Sequence, residues 1–131
     1  MTARMKRNLI SVALLGIVFA AGMAVGQQKH VVGRPKTIIH FVSIKWRPGV
    51  SEADRQRAID GIGRMANQIP GIKNVWLKTI RVQPQDFHAV FAIEFVNQDA
   101  ADDYRDHPAH AAWDKEFQVL RDNSFSGQAT N

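Results

Sequence analysis

Thr37-Ile-Ile-His-Phe-Val-Ser-Ile-Lys-Trp46, followed by Pro48-Gly49 and then Ser51-Glu-Ala-Asp54, is the stretch that decides the fold. Its first ten residues are rich in β-branched and aromatic side chains and stop at a Pro-Gly turn, which reads as a strand. His40 shares one strand face with Val42, Ile44 and Trp46, because successive side chains alternate. Ser51 then offers its hydroxyl to the Asp54 amide, the usual opening of a helix. Behind it Ala58, Ile59, Ile62, Met65, Ala66 and Ile69 recur at three- and four-residue steps and make one apolar helix face. Pro70-Gly71 ends it.

Outward from this unit the pattern continues. Asn74–Val82 predicts a second strand and Pro84-Gln-Asp86 a turn. In the third strand, Phe87–Val96, residues Phe87, Ala89, Phe91, Ile93 and Phe95 form one face, and His88, Val90, Ala92, Glu94 and Val96 the other. A short helix begins at Asn97 and runs through Tyr104. The chain re-caps at Asp106 or His107, with Pro108 suited to a first helical turn, and the next helix presents Ala109, Ala112, Trp113 and Phe117 along one stripe. Val119–Phe125 predicts the last strand, and residues 126–131 a flexible tail. The order β-α-β-β-α-β is a ferredoxin-like α+β domain: an antiparallel sheet with helices on one face. Its other face carries aromatic side chains and calls for cover, which a two-fold homodimer would supply.

The N-terminal stretch differs in kind. Arg4, Lys6 and Arg7 precede the apolar run Leu9–Gly26, which closes on Ala24-Val25-Gly26. A basic end, an apolar middle and a small-residue exit describe an export signal, so residues 1–26 are expected to be removed. Residues 27–36 then serve as a linker and residues 37–125 as the working domain, in the periplasm or secreted. The run of roughly 17 residues sits at the lower edge of what crosses a bilayer, which leaves an uncleaved anchor as the alternative. The chain of 131 residues has 17 basic and 12 acidic side chains, a net +5. Without its first 26 residues it retains 14 basic and 12 acidic, so the apparent basicity belongs mostly to the signal. Nucleic-acid binding is not expected, nor is stable membrane association after cleavage. Cysteine is absent, which excludes disulfides, thiolate metal sites and N-terminal lipidation at Cys.

Three pieces together, Ile39-His40-Phe-Val-Ser-Ile-Lys45-Trp46, Ile69-Pro70-Gly71-Ile72 and Tyr104-Arg-Asp-His107-Pro108-Ala109-His110, resemble the stress-responsive A/B barrel (Dabb) domain family over residues 37–125. The resemblance implies a ferredoxin-like protomer pairing sheet to sheet into a dimeric α/β barrel. Members with known activity include a plant polyketide cyclase that performs an aldol condensation without metal or cofactor. Such a step needs a base near neutral pKa and a donor for the developing oxyanion. By that resemblance His110 corresponds to the base, and Tyr104 and His40 to its pocket partners. A further third-strand histidine of the cyclase has no counterpart in phase: His88 is one residue out and Ala89 occupies the position. Tyr104 is the one tyrosine in the chain, so a second pocket tyrosine of the cyclase also has no counterpart.

The expected site is therefore His110, His40 and Tyr104, with Val42, Ile44, Trp113 and His107 lining a pocket for a small apolar molecule. No cofactor or metal is expected, although His40, His88 and His110 together could in principle hold zinc. Each residue also has a structural reading: His110 and His107 as helix-start residues, His40 as a satisfied core histidine, Tyr104 as a core-margin residue. Binding without catalysis and cofactor-free aldol, lyase or monooxygenase chemistry through His110 both stay open.

Overall fold

A computed structural model describes residues 32–131 and isolated positions among residues 5–17. The export signal expected over residues 1–26 falls, those positions apart, outside the described residues. Among the described residues no helix is long and apolar enough to cross a membrane.

Residues 34–131 form one compact unit. Its elements are β1 (Ile38–Trp46), α1 (Glu52–Ala66), β2 (Ile72–Trp76), β3 (Ala89–Phe95), α2 (Gln98–Asp106), α3 (Pro108–Leu120) and β4 (Arg121–Ala129). The strands make one antiparallel sheet in the order β2-β3-β1-β4. This is the ferredoxin-like α+β arrangement. Each helix starts where its sequence provides a cap: Ser51 accepts from the Asp54 amide at 3.1 Å and Asn97 from the Ala100 amide at 2.9 Å. His107 accepts from the Ala109 amide through Nδ1 at 3.1 Å, ahead of Pro108.

The core lies between the helices and the inner sheet face, where the alternation of β1 and β3 places Ile38, Val42, Ile44, Trp46, Phe91, Ile93 and Phe95. From α1 come Ala58, Ile62 and Met65, with Ile69 just beyond it, and from α3 Trp113 and Phe117. Ile59 and Ala66 are only partly buried. The opposite sheet face keeps Phe41, Trp76, Val96 and Phe125 between 36% and 48% exposed. That face also holds Glu94, beside Lys73 at 3.4 Å.

Two strands differ from the sequence reading. β2 stops at Trp76 instead of running to Val82. Beyond it the Thr79 side chain, not a backbone ladder, bonds to β3, accepting from the Val90 amide at 2.9 Å and donating to its carbonyl at 3.0 Å. Ile80, apolar in the pattern, is 92% exposed. At the C-terminus Val119 and Leu120 belong to α3, and residues expected as a flexible tail continue β4 to Ala129. Polar Ser126, Gly127 and Gln128 have weak strand preference, but pairing with β1 from Ile39 to Trp46 overrides it. Gly127 leaves room for the Phe41 ring, whose edge a Cβ there would meet at 2.6 Å and push aside. Asn131 Nδ2 donates to the Pro35 carbonyl at 3.3 Å, tying the chain end to the linker.

Candidate functional site

β1, α2 and α3 bring His40, Tyr104 and His110 together. The His40 and Tyr104 rings lie 6.0 Å apart, and Tyr104 and His110 only 4.3 Å. Phe95 backs the tyrosine at 5.1 Å, and Trp113 lies 6.2 Å from His110. The cluster exists because α2 ends at His107 and α3 restarts at once on Pro108, which turns Tyr104 and His110 toward the same strand.

The polar atoms differ in what they can do. His110 Nδ1 lies 3.2 Å from the Arg105 carbonyl. A carbonyl can only accept, so this contact makes Nδ1 the protonated nitrogen of the neutral ring and leaves a lone pair on Nε2. His110 thus has the form of a general base whose tautomer is held by the backbone. His40 Nδ1 is buried with no hydrogen-bond partner among the described residues. Burial, together with the His110 imidazole, lowers the His40 pKa from its ordinary value, while the Gly127 backbone pulls the other way. Tyr104 is 6% exposed, and burial plus the Asp114 carboxylate push its hydroxyl well above the usual phenol range. It stays protonated at any physiological pH and acts as a donor.

A pH dependence of stability follows from His40. Below its ordinary pKa of about 6.5 the unfolded chain takes up a proton that the folded ring resists. The unfolded state therefore binds more protons, and stability rises with pH across that window. The His40 contribution should be complete above about pH 6.5 and fall as pH drops below it. The urea midpoint is expected to decline between pH 7.5 and 5.5, and His40→Leu should flatten the decline. An equal decline in both proteins would remove His40 as its cause.

The other expected site residues have different roles. Ile44 is fully buried and Val42 nearly so, both facing the core. Trp113 is a core residue: its Nε1–H donates to the Ala58 carbonyl at 2.9 Å and its ring stacks on Phe117. His107 is a helix cap, as its structural reading had it. His88 Nδ1 accepts from the Trp46 amide at 2.9 Å. That is six residues along β1 from His40, roughly 20 Å at about 3.3 Å per residue, so His40, His88 and His110 do not converge. Two contributors were not read from the sequence. Asp114 follows His110 by four residues, a helical spacing that would have pointed to it. Arg105 acts through its backbone carbonyl, which no side-chain pattern reveals.

No curated protein sequence matches the chain significantly. Among solved structures, a dimeric ferredoxin-like protein from Bacteroides fragilis superposes with a TM-score of 0.61 at 16% identity, over 76% of this chain and 100% of that one. SnoaB, a cofactor-independent oxygenase from Streptomyces nogalater, gives 0.60 at 14% identity, over 73% and 93%. The hydroxynitrile lyase from Passiflora edulis gives 0.66 at 16% identity, over 72% and 93%. At such identities the shared property is the fold. The family model for the stress responsive A/B barrel domain matches residues 38–126, which span β1 through most of β4 and include the whole His40–Tyr104–His110 cluster. This chain belongs to the stress responsive A/B barrel domain family.

Proposed function

We propose that the domain binds a small, mostly apolar molecule at the His40–Tyr104–His110 cluster, and that His110 is the general base of cofactor-free chemistry on it. The observation that carries this reading is the Arg105 carbonyl on His110 Nδ1, which leaves Nε2 as the basic nitrogen. Beside it stand a tyrosine held protonated and a buried His40 Nδ1 without a partner, suited to meet a polar atom of the bound molecule. A base, a donor and an apolar surround are what proton abstraction next to a carbonyl or nitrile requires. Two proteins of the same fold are a cofactor-independent oxygenase and a hydroxynitrile lyase, which supports a catalytic reading of this fold.

The test uses 5-nitrobenzisoxazole, whose ring opening needs only a base. The base takes the C3 proton, the C–H electrons form the nitrile as the N–O bond breaks, and the oxygen becomes a phenolate on the same molecule for Tyr104 to stabilise. His110→Gln should lower the rate by about 100-fold or more, the ordinary worth of a positioned general base. Equal rates in the two proteins would leave binding without chemistry.

We further infer that the protein is exported and works as a homodimer. The basic and apolar pattern of residues 1–26 supports export. The exposed Phe41, Trp76, Val96 and Phe125 on one sheet face support a second copy as cover, as does the dimeric Bacteroides fragilis relative in fold. Native mass spectrometry of protein expressed with its full N-terminus should return two copies, each beginning at Gln27, with a small molecule retained. A stable monomer would contradict the dimer, and an intact Met1 would contradict cleavage.

A further inference from the structure

We propose that a second site, a cleft at the opposite end of the sheet from His40, binds a small carboxylate with an apolar body. The cleft has a volume of ≈ 270 Å³ and opens between the first turns of α1 and the segment joining β2 to β3. That is about nine waters at roughly 30 Å³ each, room for a benzoate-sized molecule. Trp46, Ile59 and Leu77 give it an apolar floor, continuous with the core.

Its polar wall is built mainly of donors. Arg55, from α1, has its Nε buried with no hydrogen-bond partner among the described residues. Neither Arg55 nor Lys78 forms a salt bridge with a described residue. His88 spends its Nδ1 lone pair on the Trp46 amide, so in the neutral ring Nε2 carries the proton and is a third donor. Thr79 pins the adjoining segment to β3 through Val90, which fixes Lys78 at the rim without a backbone ladder. A buried guanidinium N–H without an acceptor costs free energy until one arrives, and the planar fork of arginine fits a carboxylate with two parallel bonds.

Glu52 also lines the cleft and selects among anions. Its carboxylate offsets one of the two permanent cations and so disfavours a doubly charged ligand such as a phosphate. A singly charged, planar acid with an apolar body satisfies both the donors and the floor. The site shares no residue with the His40 cluster, so the two can be tested separately.

The experiment titrates sodium benzoate into the full-length ¹⁵N-labelled protein and follows the Arg55 Nε–H and His88 ring signals. Both should shift together and saturate at millimolar benzoate or below, while uncharged benzamide should leave them in place. Arg55→Gln should weaken binding at least tenfold and Lys78→Gln severalfold, with the His110-dependent opening of 5-nitrobenzisoxazole unchanged in both. If Arg55→Gln does not fold, Lys78→Gln decides alone. Equal response to benzamide, equal affinity for inorganic phosphate, or undiminished binding in the folded variants would overturn the proposal.

Discussion

Trp113→Ala should cost about 3–5 kcal/mol of stability, the range for emptying a large aromatic site in a packed core. The indole lies 4.7 Å from Phe117 in a near-parallel stack and meets Phe91 edge-on at 5.9 Å. Its Nε1–H gives the Ala58 carbonyl, already paired within α1, a second hydrogen bond that alanine would remove. The neighbouring helix cannot close the gap from its own side chain, because Gly61 faces the ring with nothing beyond Cα. A Cβ at Gly61 would meet Trp113 Cδ1 at 2.9 Å, so glycine is what lets α1 and α3 approach. For a domain whose whole stability is about 5–15 kcal/mol, this is a large share. Urea denaturation should show the loss as a lower midpoint, and Trp113→Phe should recover all but about 1 kcal/mol, the missing hydrogen bond. A loss under about 1.5 kcal/mol for the alanine variant would mean that this core does not depend on the α1–α3 contact.

Gly71→Ala, a change of one methyl group, should be nearly as damaging. Gly71 has φ +84°, a conformation that costs a residue with a side chain about 1–2 kcal/mol. The added Cβ would also collide with Ala100 Cβ, on the first turn of α2. Overpacking of that kind typically costs about 1–3 kcal/mol, which makes about 2–5 kcal/mol in all. The position cannot simply shift, because the Gly71 carbonyl accepts from the Val96 amide at 2.9 Å and holds the start of β2 to the end of β3. The two costs separate in a double-mutant cycle with Ala100→Gly, which should relieve the collision and leave the backbone strain. No rescue by Ala100→Gly would show that the collision is not part of the cost.

The sequence was most legible where local pattern and tertiary packing agree. The alternation put Val42, Ile44 and Trp46 on one face of β1 and Phe91, Ile93 and Phe95 on one face of β3, and those faces are the core. Ser51, Asn97 and Pro108 marked helix starts because a cap is a local interaction. Legibility failed where long-range pairing decides. Ser126–Gln128 form a strand because β1 offers them a ladder, and residues 77–80, apolar in pattern, do not because Thr79 bonds in its place. The site divided in the same way. The grouping of His40, Tyr104 and His110 followed from a family resemblance, and the rings do cluster. Val42, Ile44 and Trp113, named as pocket lining on the same grounds, sit in the core, where face alternation says which side a residue is on but not what it touches.

The His110 tautomer carries the most weight in this account, since the Arg105 carbonyl at 3.2 Å gives His110 the form of a base. Long-range ¹H–¹⁵N correlation spectra of the histidine rings at neutral pH read it directly. His110 should show Nδ1 protonated and Nε2 bare. A ring protonated on Nε2 would leave no lone pair there to take a proton, and would contradict it.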